Sequence, residues 1–379
     1  MTSTVSTTER RLDRIRGAVE ARAHNARTIA ALTSNPGCAR RAVMDAAGVD
    51  KARLASHLGV PAPYGQSQFA ITRGNAFEAQ VKADGCAELL RLLRERLHLP
   101  IPEVAYDDLD EVGGNASREL RHARSRALLG RAATGAEDAG TLFDHPLLRL
   151  AVGGRWVYLE PDLIAFQLAG TFRVVEIKSF AVVDGQADGD SVAAAAVQSA
   201  VYVLALRRLM RDLGHDPGVV SHDVVLVCPE NFANRPVAVL LDVRKQLTVL
   251  ERQLSRLARI DTILDGLPAG LTVDLVADEA GAPTRSASEV AEALRQVDAR
   301  YAPECLATCE LCYFCRDEAQ GTTSALGRTV REELGGVELV DTALGLAAGT
   351  LAPSDEQVEA AAVLRAAARL RIECLRGAA

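Results

Sequence analysis

The sequence predicts an α/β fold with mixed strand directions, and three observations carry that expectation. Three β-like runs follow closely between residues 147 and 180, separated by turn signals at Gly153-Gly154 and near Gly170. Helical periodicity flanks them, before residue 85 and again from Ser191 to Arg211. The strands come grouped, whereas a doubly wound sheet would alternate them strictly with helices.

Taken in order, residues 8–32 read as one helix, with Leu12, Ile15, Val19, Ala23, Ala26 and Ala30 at helical spacing, ending before the Asn35-Pro36-Gly37 breaker. A second helix opens after Gly74 and carries Phe77, Glu78 and Val81. The charged, irregular stretch that follows reads as a mainly helical insertion over about residues 85–145. The runs LLRLAV, RWVYLEPDLIAFQLA and FRVVEIKSF then describe an antiparallel three-strand meander. An Ala-rich helix follows, then the β-like runs DVVLVCP and PVAVLLDV, and an amphipathic helix from about Arg244 to Leu264. The expected organisation is an N-terminal helix over 1–33, a core over 34–318, and a helical extension over 319–379.

At 379 residues and 48% hydrophobic content the chain can bury a sizeable core. No stretch reaches the roughly 18 uninterrupted apolar residues of a membrane span. The nearest, Ser191 to Leu206, carries Gln198 in its middle, and the opening MTSTVSTTERR has no apolar signal core. A cytoplasmic location without a membrane partner is the expectation, and there the eight cysteines are poor candidates for disulfides. The formal charge of −7 argues mildly against a nucleic-acid partner. Its distribution matters more: Arg118, Arg121, Arg124 and Arg126 form one basic run, and Arg207, Arg208 and Arg211 another. Either run also reads as a solvated helix face. Of 43 basic residues only four are lysines, Lys51, Lys82, Lys178 and Lys245. A lysine that persists in such a chain points to a site needing a compact ammonium.

Lys178 stands two residues after Glu176 in the last strand of the meander. With the hairpin turn centred at Ala169 or Gly170, Asp162 falls opposite residue 176 or 178, within about 4.5–5.5 Å at the β-carbons when directly opposed. Side chains alternate, so Glu176 and Lys178 share a face with Phe172 and Val174, where buried charge is costly unless paired or bound to a cation. Converging carboxylates suit Mg²⁺ or Mn²⁺, which polarise a phosphate and acidify a bound water. A stray buried ion pair is the bland alternative. One helix later Gln198 and Tyr202 share a helical face, either beside such a metal site or as a core hydrogen-bond pair.

Cys309, Cys312 and Cys315 have the Cys-x-x-Cys-x-x-Cys spacing that wraps three corners of a 4Fe-4S cluster before a remote fourth cysteine. Structural zinc with Cys305 is the rival. Cys86, Cys228 and Cys374 read as buried small hydrophobes. No Gly-rich phosphate loop ending in Gly-Lys-Ser/Thr is present, so an ATP-driven motor would be a separate protein.

Over residues 34–315 the chain resembles the RecB-like branch of the PD-(D/E)XK nuclease superfamily, and within it the iron-sulfur members. The residues that match are Gly74 with Glu78 in place of the family's histidine, Pro161-Asp162, Glu176-Ile177-Lys178, and Gln198 with Tyr202. The resemblance implies a restriction-endonuclease-like core of helix, three-strand meander, helix, strand and strand, with the helical insertion, a helical C-terminal extension and an iron-sulfur staple. It implies Asp162 and Glu176 as ligands of Mg²⁺ or Mn²⁺, with Glu78 as a further oxygen ligand. It implies Lys178 as catalytic lysine, and Gln198 and Tyr202 as substrate-positioning residues. It brings in Cys38 as the remote ligand beside Cys309, Cys312 and Cys315, with Cys305 able to replace one of them. The implied activity is a metal-dependent DNA exonuclease on single-stranded or frayed ends, in repair, recombination or defence, working with a separate helicase or repair partner. The alternative is a non-catalytic iron-sulfur subunit that binds DNA or acts as a scaffold.

Overall fold

The computed structural model describes residues 7–35, 37–62, 68–95, 98, 106–109, 117–136, 141–152, 155–166, 170–231, 233–257, 260–279 and 281–377. The chain begins with α1 (Thr7–Arg16) and α2 (Ala26–Ala31). Residues 8–32 are therefore not one helix. Gly17 takes a left-handed φ of +78° and ends the first. Asn25 starts the second with a capping box, its side chain accepting from the Thr28 amide while Thr28 Oγ1 accepts from the Asn25 amide.

Next come α3 (Ala39–Ala47), α4 (Lys51–His57) and the long α5 (Gln68–Glu95), which kinks where Asp84, Gly85 and Cys86 adopt positive φ. Then follow β1 (Tyr106–Asp108), α6 (Arg118–Ala133), β2 (Leu142–Asp144), β3 (Leu148–Val152), β4 (Arg155–Leu159), β5 (Leu163–Phe166) and β6 (Phe172–Ile177). A small β7–β8 hairpin (Val182–Val183, Gln186–Ala187) leads into α7 (Gly189–Asp212), β9 (Asp223–Pro229), β10 (Pro236–Asp242), α8 (Arg244–Leu257) and α9 (Ile260–Asp265). The rest is helical: α10 (Ala287–Arg295), α11 (Cys305–Thr308), α12 (Cys312–Glu318), α13 (Arg328–Glu333), α14 (Val340–Ala348) and α15 (Val358–Gly377).

The fold is mixed α/β. Six strands form one sheet in the order β1-β2-β5-β6-β9-β10, with β1–β2 and β6–β9 parallel and the other neighbours antiparallel. The parallel β6–β9 pair is joined through α7, the crossover a parallel connection requires. Two expectations are corrected here. The strand preceding β5 in the sheet is β2, inside the stretch read as a helical insertion, which also holds β1. LLRLAV and the first half of RWVYLEPDLIAFQLA instead form a separate β3–β4 hairpin, because the chain breaks at Glu160–Asp162. Pro161 at that break cannot donate to a ladder. The Gly153-Gly154 turn and Ala169 lie outside the described residues.

Contacts divide the chain into two compact units. One comprises Met1–Arg22, Ser34–Tyr64 and Asp261–Ala379, and contains every cysteine proposed for a cluster. The other comprises Ala23–Thr33 and Gly65–Ile260, and contains the sheet. In the sheet unit, Leu163, Ala165, Val175, Ile177, Val225 and Val227 face Phe77, Val81, Leu89 and Leu93 of α5. On the opposite face Leu226 and Cys228 meet Ala195 of α7. Glu176, between Val175 and Ile177, thus points to the α7 side.

Among the described residues α7 is the one helix long and apolar enough to cross a membrane. Twelve of its side chains are buried in this protein, so its apolarity serves the core. Cys86 and Cys228 are buried as expected, but Cys374 is exposed, because α15 turns that part of its surface outward. Phe77 is 1% exposed and anchors α5 on the sheet. Phe77→Ala should therefore lower the unfolding free energy by about 3–5 kcal/mol, read from the urea midpoint of the full-length chain. A loss below about 1 kcal/mol would show that α5 does not depend on this contact.

Candidate active site and cysteine chamber

The register of β5 on β6 pairs Leu163 with Val175 and Ile164 with Val174, which carries Asp162 opposite Glu176 and not opposite residue 178. Asp162 sits just past the strand end, where its Oδ2 accepts from the Ile177 amide at 2.7 Å. Glu176 is 0% exposed. Lys178 Nζ stands 2.5 Å from Glu176 Oε1, yet neither Glu176 oxygen receives a well-directed hydrogen bond from a described residue. The ammonium pairs with Oε1, and Oε2 is left without a hydrogen-bond partner among the described residues. Lys178 Nζ donates to Gln198 Oε1 at 3.3 Å, and Gln198 Nε2 donates to the Tyr202 hydroxyl at 3.2 Å. The helical pair expected from i, i+4 spacing thus steers the lysine.

Burial, reinforced by the Asp162 charge, pushes Glu176 up to about 8. Burial and then Glu78 raise Asp162 as well. Burial would lower Lys178, but Glu176 and Asp162 outweigh it and hold the ammonium above its ordinary value. Tyr202 is raised well above the phenolic range by burial and by Glu176. Such a site repels its own negative charge and holds its proton tightly. The donor set is oxygen-rich and buried, with Glu176 Oε2 unpartnered among the described residues, which fits a hard divalent cation at Asp162 and Glu176.

Glu78, on α5, is partly buried and already engaged. Lys82 Nζ stands 2.5 Å and His145 Nε2 3.3 Å from its Oε1. Lys82 also pairs with Asp144 at 2.7 Å, and His145 Nδ1 with Asp144 at 2.9 Å. Burial opposes ionisation of Glu78, but His145 and Lys82 prevail and hold its carboxyl down to about 2. Hydrogen bonds to Asp144 and Glu78 push His145 up to about 10, so the ring is an imidazolium at neutral pH.

The sequence reading marked Lys82 only as one of four scarce lysines and missed Asp144 and His145. Glu78 meets an imidazole from far along the chain, that of His145 at the end of the stretch read as an insertion. One local signal marks it: His145 is a non-glycine residue at φ +47°, directly after β2, and its amide donates to the Asp162 carbonyl at 3.2 Å. Arg27 was missed too. It is exposed on α2, which packs against α7, and its charge bears on Lys178.

In the other unit five thiols, of Cys38, Cys305, Cys309, Cys312 and Cys315, line one cavity together with Asn35, Arg40, Arg41 and Arg300. Cys38 comes from the start of α3, and the rest from α11, α12 and the segment between them. Asn35 Nδ2 donates to Cys305 Sγ at 3.1 Å and Arg40 Nη1 to Cys315 Sγ at 3.3 Å. Burial pushes Cys309 up to about 11 and Cys315 up to about 12, so the free thiols stay protonated. Thiolates there need compensating positive charge, as a bound metal supplies. Buried cations stand ready around them: Arg40 pairs with Glu318, Arg41 with Asp45 at 3.4 Å, and Lys51 with Asp45 and with Glu310 at 3.3 Å. The chamber fits a thiolate-bound metal or cluster, and it holds one thiol more than a tetrahedral zinc or a cubane takes.

His222, Asp223 and Asp242 also converge, with donor atoms within 4.8 Å of one another. Arg244 already binds Asp242 at 2.9 Å and Arg173 pairs with Asp223 at 3.6 Å, so arginines balance this group.

No family model matches the chain, and no curated protein does. Among solved structures it is similar to a chain named "Putative exonuclease" from Eubacterium rectale, at 10% identity and TM-score 0.28, covering 69% of this chain and 86% of that one. It is also similar to SSO0001, at 14% identity and TM-score 0.19, covering 45% of this chain and 84% of that one. Likeness at these scores leaves the activity to be argued from the residues themselves.

A carboxyl whose folded pKa exceeds its unfolded one binds its proton more tightly in the folded state. Stability contributed by protonated Glu176 is therefore complete below about 4.5 and lost as pH rises to about 8. Glu176→Gln should raise the Tm of the metal-free protein above pH 8 and change it little near pH 4.5. A lower Tm for the variant above pH 8 would mean that the ionised carboxylate is satisfied within the protein.

Proposed function

We propose that this chain is a metal-dependent deoxyribonuclease of the RecB-like PD-(D/E)XK kind, with a restriction-endonuclease-like core and a 4Fe-4S cluster in the cysteine chamber. The observation that carries the reading is Glu176, fully buried opposite Asp162, with Lys178 paired at Oε1 and no hydrogen-bond partner at Oε2 among the described residues. Two converging buried carboxylates with one ammonium between them are short of positive charge, and a divalent cation would supply it.

Mg²⁺ or Mn²⁺ held by Asp162 and Glu176 would polarise a phosphodiester and lower the pKa of a water. Lys178 stays protonated, so it acts as a fixed positive charge for the developing phosphorane oxygens and not as the proton acceptor. Gln198, anchored by Tyr202, orients that ammonium. Glu78 is an oxygen donor that reaches the cation once Lys82 and His145 release it. Arg27 offers charge at the mouth of the site for a backbone phosphate.

The substrate proposed is DNA with single-stranded or frayed ends, in repair, recombination or defence, in the cytoplasm, with a separate motor protein to open duplex. The cluster's role is structural. Asn35 and Cys305 meet 270 positions apart in sequence, and a metal bound there would lock that closure.

Asp162→Ala and Lys178→Ala should each reduce Mg²⁺- or Mn²⁺-dependent cleavage of a single-stranded oligonucleotide by at least about 100-fold while leaving the fold intact. Undiminished cleavage in both would overturn the nuclease reading. Protein purified without oxygen should be brown with broad visible absorbance, and Cys312→Ser should lose that colour. Colourless protein carrying zinc would replace the cluster by a zinc site.

A further inference from the structure

The β3–β4 hairpin buries Leu148, Leu150, Val157 and Leu159 and turns its other face outward. That face carries Trp156, the only tryptophan in the chain, 57% exposed. The Arg149 guanidinium lies 4.3 Å from the centre of its ring. Arg149 has no ion-pair partner among the described residues, so this stack is its main engagement. The ladder sets Ala151 opposite Trp156 and Tyr158 opposite Arg149, and Ala151, itself exposed, is too small to cover the indole. A guanidinium held over one face of an indole fixes the ring and adds a planar positive layer on which a base can stack in turn.

Position gives this surface meaning. β4 runs into Pro161 and Asp162, so the ring lies within about 20 Å of the carboxylates along the chain, at roughly 3.3 Å per residue. α7 links the two places: Gln198 and Tyr202 stand at the carboxylate site, and Arg208 Nη1 reaches the Ala151 carbonyl at 3.5 Å. From Tyr202 to Arg208 the helix rises about 9 Å. Arg211, exposed on the same helix, adds a further cation.

We infer that the outer face of the β3–β4 hairpin is a stacking platform for single-stranded DNA, with one base on Trp156 and Arg149 and the adjoining phosphates on Arg208 and Arg211. This rests on the nuclease reading and narrows its substrate. Every base has a π-face, so an indole binds a strand without regard to sequence. In duplex DNA those faces are already stacked, and the platform therefore selects unpaired ends.

Because Trp156 is the only tryptophan, its emission reports the platform directly. The full-length protein, without added divalent cation, is titrated with oligothymidine and, separately, with a blunt duplex. Saturable quenching by the single strand and little by the duplex is expected. Followed by the anisotropy of a labelled oligothymidine, Trp156→Ala should weaken binding about fivefold to a hundredfold, and Trp156→Phe should restore most of it.

Silent emission while the strand binds, equal affinity in Trp156→Ala, or equal quenching by duplex would each overturn the platform while leaving the nuclease reading in place. Quenching and weakened binding in a protein that cleaves nothing would keep the platform and sink the nuclease.

Discussion

Burial of Glu176 at the centre of the sheet is the constraint on which the site depends. A carboxylate in that position is tolerated only with positive charge at hand, and Lys178 supplies part of it from the same strand. The β5–β6 register then fixes Asp162 across the ladder, while the β6–β9 pairing holds the strand end, with the Lys178 amide donating to the Val227 carbonyl at 2.9 Å. From this pair the surroundings follow. α7 must cross that face to join β6 to β9, and it delivers Gln198 and Tyr202 as it does so. α5 covers the opposite face and brings Glu78 to the strand ends.

Lysine usage had a wider meaning than one site. Three of the four lysines sit in buried or partly buried carboxylate clusters: Lys178 with Glu176, Lys82 with Glu78 and Asp144, and Lys51 with Asp45 and Glu310. Each place is tight, and an ammonium can point at two carboxylates from a single atom where a planar guanidinium would need room for its fork. Lys51 belongs to the charge network beside the cysteines, where its influence on Cys309 favours a thiolate. The scarcity of lysine therefore marks buried charge, of which the Glu176 site is one case.

The cysteine chamber solves a problem of chain organisation. Its unit is assembled from segments at both ends of the sequence, so few local contacts hold it before the whole chain is made. Closing so long a loop costs entropy that a metal bound by several thiolates would offset. The polar contacts around it, from Asn35, Arg40 and Arg41, already point at sulfur or at the chain that carries it.

By itself the sequence determined what local periodicity can encode. Period two placed Glu176 and Lys178 on one face, period 3.6 placed Gln198 with Tyr202, and the tight spacing of Cys309, Cys312 and Cys315 set three thiols at one cavity. Tertiary structure decided the rest. It chose 176 over 178 as the partner of Asp162 and split the predicted meander at Glu160–Asp162. It put β2 into the sheet, and divided residues 8–32 between two helices. It also brought His145, Lys82, Asp144 and Arg27 to the carboxylates, and a fifth thiol to the chamber. Local periodicity does not record these placements, because they depend on which distant segments burial forces together.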